Sequence, residues 1–248
     1  MTTLIVGASG ATGRLLIKQL LNADEKVKII VRSADTFYSV LPDEIRQDNR
    51  LIITEANLLN MTNAELENQV QGCRAVVSCL GHNLSLKGMF GHPRRLVTNA
   101  VQRLCQAIEK TAPSLKETPV KFILMNTTGN QNKHDDEKVS TSQALVVTMI
   151  RVFLPPHADN EAAAEFLQTR ILGNHNQIEW VVVRPDSLTD ETSVTEYDVF
   201  TSPIRSAIFD AGKTSRINVA HFMSQLVSNV ETWNKWKAKM PVIYNVSR

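Results

Sequence analysis

The residues that decide the fold are Thr3-Leu4-Ile5-Val6-Gly7-Ala8-Ser9-Gly10-Ala11-Thr12-Gly13, an apolar run that leads into three evenly spaced glycines. A helix-like pattern over 14–23 follows. A strand, a glycine-rich turn and a helix in this order are typical of sites that bind the phosphates of a dinucleotide. Gly7 would permit a tight turn, Gly10 a close approach of the backbone to a pyrophosphate, and Gly13 close packing of helix on strand. Turns also need glycine without any ligand, but the position between strand and helix favours a dinucleotide site formed by Gly7, Ser9, Gly10, Ala11, Thr12 and Gly13.

Length, charge and cysteine content limit the classes of protein to which the chain could belong. A chain of 248 residues is long enough for one α/β domain with a large core. Its 27 basic and 25 acidic residues give a net charge of +2, so we expect neither nucleic acid nor an anionic membrane as a partner. Three cysteines without paired spacing, and His82, His92 and His134 without ligand spacing, predict no disulfide framework and no metal site. The first strand begins almost at Met1 and no apolar run has membrane-spanning length, so we expect a cytoplasmic protein that binds a small-molecule substrate.

Short β-rich runs alternate with longer helical patterns along the chain, which is the signal of repeated β-α-β units and a parallel sheet. We expect an α/β fold with a doubly wound parallel sheet, in a single domain over 1–248. Buried stripes at helical spacing predict helices over 96–108 and 219–230 and place Cys105 in the core. About seven strands are predicted, over 3–6, 27–31, 51–54, 75–79, 120–125, 178–183 and 242–244.

Loop-like segments follow three of the predicted strands, over 81–95, 130–140 and 185–212. Ligands bind at the carboxyl ends of the strands in an open α/β sheet, so these segments should border the binding site. We expect 185–215 to be a substrate-side insertion that forms a small C-terminal lobe, and 87–95 to be a lid over the ligand. The charged stretch Asp135-Asp136-Glu137 is expected to be solvated.

The residues after the second, third and fourth predicted strands indicate which dinucleotide would bind. Arg32 and Ser33 stand where an acidic residue would take the ribose hydroxyls of NAD. A guanidinium suits the 2′-phosphate of NADP instead, although a solvated arginine at a strand end would give the same sequence. We therefore expect NADP, with NAD as the alternative cofactor. Asn57 and Leu58 could flank the adenine, and Cys79-Leu80-Gly81 could run beneath the ribose and nicotinamide.

Further motifs follow the later strands. They are Leu80-Gly81, Asn126-Thr127-Thr128-Gly129, Val183-Arg184-Pro185 and the stretch 214–220. Together with the glycine loop and Val31-Arg32-Ser33, they make the chain resemble the atypical short-chain dehydrogenases/reductases, with their NmrA-like members and those similar to flavin reductase and biliverdin reductase B. The resemblance implies a Rossmann fold with strand order 3-2-1-4-5-6-7 and NADP binding. It also implies a catalytic Ser or Thr after the fifth strand, followed by Tyr and Lys on the next helix.

The catalytic positions that this resemblance implies are filled in an unusual way. Thr128, with Thr127 beside it, takes the place of the hydroxyl residue. The stretch 162–166 resembles the segment that follows the lysine in this family, which puts Glu161 at the lysine place and His157 at the tyrosine place; the three tyrosines of the chain lie elsewhere. His157 could donate or relay a proton, and Glu161, one helical turn later, could pair with it. Alternatively, His157 is a loop histidine after two prolines and Glu161 is an acid in the first turn of a helix.

Two functions from different classes remain open. One is NADPH-dependent reduction of a small conjugated acceptor, such as a flavin or a quinone, which spreads the arriving negative charge and needs little help from an acid. The other is a non-catalytic redox sensor, similar to NmrA-type regulators, in which NADP changes the surface offered to a protein partner. The absent tyrosine and lysine favour the sensor, whereas Thr128 and the predicted lid favour the reductase. We expect the reductase.

Overall fold

The computed structural model of the chain describes residues 1–82, 91–111, 118–132, 137, 155–171, 177–206 and 209–246. Its strands are β1 (Thr2–Val6), β2 (Lys26–Val31), β3 (Leu51–Glu55), β4 (Ala75–Ser78), β5 (Val120–Met125), β6 (Ile178–Pro185), β7 (Ser187–Thr189), β8 (Tyr197–Phe200), β9 (Lys213–Ser215) and β10 (Val242–Asn245). Eight of them form one sheet in the order β3-β2-β1-β4-β5-β6-β10-β8. Every pair of neighbours in this sheet is parallel except β10 and β8. The predicted doubly wound α/β fold and its strand order are confirmed.

Helices cover both faces of this sheet. They are α1 (Ala11–Asn22), α2 (Ala34–Tyr38), α3 (Asp43–Arg46), α4 (Asn63–Val70), α5 (Leu96–Thr111), α6 (Pro155–Arg170), α7 (Arg216–Ser228) and α8 (Val230–Trp236). One core cluster packs α4, α5 and α6 on the sheet, and a second packs α1, α7 and α8 on the other face. The central strands are nearly continuous apolar runs because both of their faces are buried. Within the described residues, no helix combines the length and apolar character that a membrane span needs.

The segment after β6 contains more structure than its sequence indicates. We expected a loop there, but β7 pairs with β9 in a small parallel sheet, in which Ser187 lies beside Lys213. Between them, β8 joins the edge of the main sheet and runs antiparallel to β10. Both ends of the segment are thereby fixed at the carboxyl edge of the sheet. Sequence patterns missed these strands because they are three or four residues long and β9 consists of Lys213, Thr214 and Ser215.

Candidate active site

The glycine loop joins β1 to α1 through a turn that only glycine can form at two positions. Gly7 has a φ of +75°, and a Cβ placed there would lie 2.5 Å from the carbonyl carbon of Cys79. A Cβ at Gly13 would overlap the carbonyl oxygen of Gly7. Gly10 is different, because a Cβ there would meet only the Gly7 carbonyl oxygen, at 3.2 Å. Gly7 and Gly13 are therefore needed for packing, whereas Gly10 keeps the approach to α1 open.

The N-terminal end of α1 has the properties of an anion site. Gly10 caps the helix without a side-chain hydrogen bond, and the first turn contains no acidic residue. Ser9, Gly10 and Ala11 are exposed, whereas Thr12 is buried. The first N–H groups of a helix have no partner within the helix and carry its positive dipole end. The loop therefore fits the pyrophosphate of a dinucleotide.

The carboxyl ends of β2 and β3 lie side by side next to this loop. Arg32 is exposed directly after β2, and Ser33 caps α2 by accepting a hydrogen bond from the Thr36 N–H at 3.2 Å. Glu55, at the end of β3, accepts a hydrogen bond from the Ala34 N–H at 2.8 Å. No sequence pattern indicates this carboxylate, because it comes from a different strand. Arg32 and Glu55 thus bring opposite charges to the place expected for the adenosine ribose.

Asn57 and Leu58 have different surroundings. The exposed Asn57 caps the 3-10 helix Leu58–Asn60 by accepting a hydrogen bond from the Leu59 N–H at 3.2 Å. Leu58 is buried in the core, and its carbonyl oxygen accepts a hydrogen bond from Arg103 at 2.8 Å. The side chain of Asn57 is available to border an adenine, whereas that of Leu58 anchors the loop.

The turn Cys79-Leu80-Gly81 lies beside the glycine loop, as the Cys79 N–H donates to the Val6 carbonyl oxygen at 2.9 Å. Burial raises the pKa of the Cys79 thiol to about 12, so this thiol stays protonated near neutral pH. Leu80 is half-buried and Gly81 is exposed. Residues 83–90, which include the first part of the expected lid, lie outside the described residues.

The two threonines after β5 have different partners. Thr128 is buried, and its hydroxyl lies close enough to the Asp186 carboxylate to lower the pKa of that group. Burial raises the pKa of Asp186, although the N–H groups of Ser187 and Gly212, each 2.9 Å away, stabilise its charged form. Thr127 is only half-buried, and its Oγ1 accepts a hydrogen bond from the Gly129 N–H at 3.3 Å. The geometry therefore favours Thr127, rather than Thr128, as the hydroxyl that faces a substrate.

His157 and Glu161 lie on one face of α6. The helix begins at Pro155, so His157 lies in its first turn and Glu161 in its second. In the alternative interpretation, His157 would lie in a loop and Glu161 in the first turn of the helix; the structure shows neither. His157 Nε2 lies 3.7 Å from Glu161 Oε1, and the two side chains are 12% and 9% exposed. A Cβ placed at Gly129 would lie 3.3 Å from His157 Cε1 and 3.8 Å from Thr127 Oγ1. The imidazole and the Thr127 hydroxyl therefore both lie close to Gly129.

Hydrogen bonds of two α6 residues hold this helix at the carboxyl edge of the sheet, and no sequence pattern indicates them. Asn126, after β5, donates a hydrogen bond to the Asn160 carbonyl oxygen at 2.9 Å. The buried Asp159 carboxylate lies 2.8 Å from His82 Nε2 and accepts a hydrogen bond from Thr98 Oγ1 at 2.6 Å. These partners lie 34 to 77 positions apart along the chain, so no local pattern indicates them.

Arg184 forms a buried ion pair with Glu137, a residue that the sequence predicted to be solvated. Its guanidinium is fully buried and lies 3.0 Å from Glu137 Oε2, and it donates to the carbonyl oxygens of Asn130 and Met240 at 2.9 and 2.8 Å. The side chain of Glu137 is 3% exposed, so the prediction of a solvated loop is wrong at this residue. A buried guanidinium needs a charged partner, and Glu137 supplies it. Residues 133–136 lie outside the described residues.

The histidines considered as metal ligands are dispersed. His82 pairs with Asp159, His92 is exposed, and His134 lies outside the described residues. Across the described ranges, no group of three or more His, Cys, Asp or Glu side chains is arranged to hold a metal ion.

The strand order, the glycine loop and the open end of α1 define a dinucleotide-binding domain of the Rossmann class. The family model described as NAD(P)H-binding matches residues 7–230, so the chain belongs to this family. No curated protein sequence matches the chain.

Solved structures of low sequence identity share the fold. An oxidoreductase from Lactococcus lactis is 19% identical, with a TM-score of 0.67 over 100% of this chain and 92% of that one. An anaerobillin reductase from Escherichia coli is 15% identical, with a TM-score of 0.66 over 100% and 98% of the two chains. Gre2 from Candida albicans, in complex with NADPH, is 14% identical, with a TM-score of 0.66 over 98% of this chain and 78% of that one.

Proposed function

We propose that the protein is a reductase that uses NADPH to reduce a small conjugated acceptor, such as a flavin or a quinone. The observation that carries this proposal is that Thr127 and His157 both lie beside Gly129, after the carboxyl end of β5, the strand that pairs with β4. That edge of the sheet is where a Rossmann domain binds its ligands.

The residues at the neighbouring strand ends would hold the cofactor. The N–H groups of the glycine loop and of the first turn of α1 would bind the pyrophosphate. Arg32 would pair with the 2′-phosphate, and Cys79-Leu80-Gly81 would border the ribose and nicotinamide. When bound, the reduced nicotinamide supplies a hydride. The expected partner of the protein is thus a small molecule, with 185–215 as the wall on its substrate side.

Thr127 and His157 would act on the acceptor. The Thr127 hydroxyl donates a hydrogen bond to the oxygen or ring nitrogen on which charge develops, and the His157 imidazole holds or relays the proton that neutralises it. Glu161 Oε1, which lies 3.7 Å from His157 Nε2, would help to hold the imidazole in position. Helix α6 contains neither tyrosine nor lysine, so acid assistance is weaker than from a tyrosine and lysine pair. A conjugated acceptor suits this arrangement because it delocalises the arriving charge.

The lack of tyrosine and lysine in α6 also supports a second candidate, an NADP-dependent sensor that binds the cofactor without turnover. In that case, NADP occupancy would alter the surface recognised by a protein partner. The sensor predicts cofactor binding of ordinary strength and no oxidation of NADPH by any acceptor.

An absorbance assay separates the two candidates. The protein is mixed with NADPH and each of a panel of flavins, quinones and aldehydes, and the nicotinamide absorbance is followed. We expect turnover with flavins or quinones, and a loss of about 100-fold in kcat for His157→Ala. Thr127→Val is measured in the same assay to test the hydroxyl group. Thr169→Val, at an exposed position later in α6, is its control and should leave turnover unchanged. Binding without turnover of any acceptor would favour the sensor.

A further inference from the structure

We propose that Glu55 limits the preference for NADP that Arg32 confers, so that the protein also binds NAD. The proposal rests on the cofactor site of the proposed function and names the residue that tunes its selectivity. Glu55 lies at the end of β3, one strand away from Arg32, the residue that the sequence indicates for cofactor selectivity.

Strand pairing holds Glu55 next to the end of β2. In the parallel register of these strands, Glu55 lies opposite Val31, the residue before Arg32. The following residue, Ala56, donates its N–H to the Val31 carbonyl oxygen at 2.8 Å. The backbone of Glu55 is therefore fixed beside the place where the adenosine ribose would lie.

The side chain of Glu55 turns toward the same place. Its Oε2 atom accepts a hydrogen bond from the Ala34 N–H at 2.8 Å, two residues after Arg32. Arg32 and Glu55 are both exposed. The neighbouring ends of β2 and β3 thus carry a cation and an anion.

These two charges act in opposite directions on the two cofactors. A 2′-phosphate is attracted by the guanidinium and repelled by the carboxylate, and it would have to compete with Glu55 for the Ala34 N–H. The ribose hydroxyls of NAD carry no charge, and they can donate hydrogen bonds to a carboxylate. Glu55 therefore weakens the binding of NADP and supports that of NAD.

The Glu55→Gln variant removes the charge but keeps an oxygen that can accept the Ala34 hydrogen bond. We expect NADPH to bind about tenfold more tightly to this variant, with NADH binding unchanged or weaker. The gain in NADPH affinity should be smaller at high salt, because the side chains of Glu55 and Arg32 are exposed to solvent. Fluorescence titration gives the dissociation constants for NADPH and NADH. Glu44→Gln is the matched control, because Glu44 is also an exposed carboxylate and pairs with Lys18 at 2.9 Å. This variant should change neither dissociation constant.

Arg32→Ala is measured beside these variants to keep the two proposals distinguishable. If Arg32→Ala weakens NADPH binding while Glu55→Gln leaves the ratio of the two constants unchanged, the role of Glu55 is wrong and the NADP site stands. If the wild-type protein binds neither cofactor, both proposals are overturned. A tighter NADPH complex in Glu55→Gln but not in Glu44→Gln supports the inference.

Discussion

Asp159 Oδ2 lies 2.8 Å from His82 Nε2, and the same buried carboxylate accepts hydrogen bonds from the first turn of α5. The N–H groups of Val97 and Thr98 donate to it at 2.7 and 3.0 Å. Asp159 thus caps a helix that belongs to another part of the chain and holds the turn after β4 at the same time. Helix α6, which carries His157, is fixed in place by these contacts.

Replacement of Asp159 by alanine should destabilise the protein strongly. The change leaves the Val97 and Thr98 N–H groups in the interior without their acceptor and removes the carboxylate contacts of the Thr98 hydroxyl and His82, so we expect the free energy of unfolding to fall by about 3 kcal/mol. Urea unfolding measures this difference. Asp210→Ala, which removes an exposed partner of Arg205, is the control and should cost less than about 1 kcal/mol. Equal stability of the two variants would refute the capping role of Asp159.

The glycine loop allows a test that separates folding from binding. Gly7→Ala puts a side chain at a positive φ and against the Cys79 carbonyl group, so we expect a loss of about 2 kcal/mol or more in the free energy of unfolding. Gly10 has a φ of −69°, which alanine adopts, so Gly10→Ala should fold with a loss of no more than about 1 kcal/mol. Its methyl group would obstruct the pyrophosphate and weaken NADPH binding about tenfold. Unimpaired NADPH binding by Gly10→Ala, measured by titration, would mean that the phosphates bind elsewhere.

Much of this loop and of the fold could be predicted because the signals are local. The strand, the glycines and the helix of 3–22 are contiguous, and apolar runs mark the central strands. The strands β7, β8 and β9 could not be predicted, since they are short and partly polar and form only because the rest of the sheet offers an edge. Their formation depends on tertiary contacts.

The two threonines after β5 should respond differently to loss of the hydroxyl group. Thr128→Val removes a buried hydroxyl that stabilises the charged form of the Asp186 carboxylate, so its main effect should be a loss of about 1 to 2 kcal/mol in the free energy of unfolding. Thr127→Val removes only the 3.3 Å acceptor of the Gly129 N–H, so it should cost no more than about 1 kcal/mol and lower kcat by about tenfold or more. Unfolding curves and steady-state kinetics of both variants check the assignment. The reverse pattern, with kcat lost only in Thr128→Val, would restore Thr128 as the catalytic hydroxyl.

Acid should destabilise the contact between Tyr197 and His221. Burial lowers the pKa of His221 below 6.5 and raises that of Tyr197 to about 12, and the Tyr197 hydroxyl lies 2.7 Å from His221 Nδ1. The unfolded chain then binds a proton at a higher pH than the folded protein, so the free energy of unfolding falls as the pH drops from about 6.5 through the folded pKa. Urea unfolding as a function of pH measures this slope. The slope should be smaller in His221→Gln, and an identical slope in both proteins would show that His221 does not contribute to it.

The candidate site was harder to predict than the fold because its contacts are not local. The sequence places Thr127 and Thr128 together after β5, but only the packing of Asp186 shows which hydroxyl turns inward. Glu137 stands in a charged stretch that is typical of a surface loop, yet the buried Arg184 draws its carboxylate inside. Such pairs form between residues distant in sequence, and composition carries no information about them.

The central claim, that the protein transfers hydride from NADPH to a conjugated acceptor, is tested most directly by a single-turnover measurement. The protein is mixed with an equal amount of NADPH, a quinone or flavin is added, and the decay of nicotinamide absorbance is compared with a protein-free mixture. We expect decay at least about 1000-fold faster than without protein, with most of the gain lost in His157→Ala. Tight binding of NADPH, with a decay no faster than in the protein-free mixture for every acceptor, would contradict the claim.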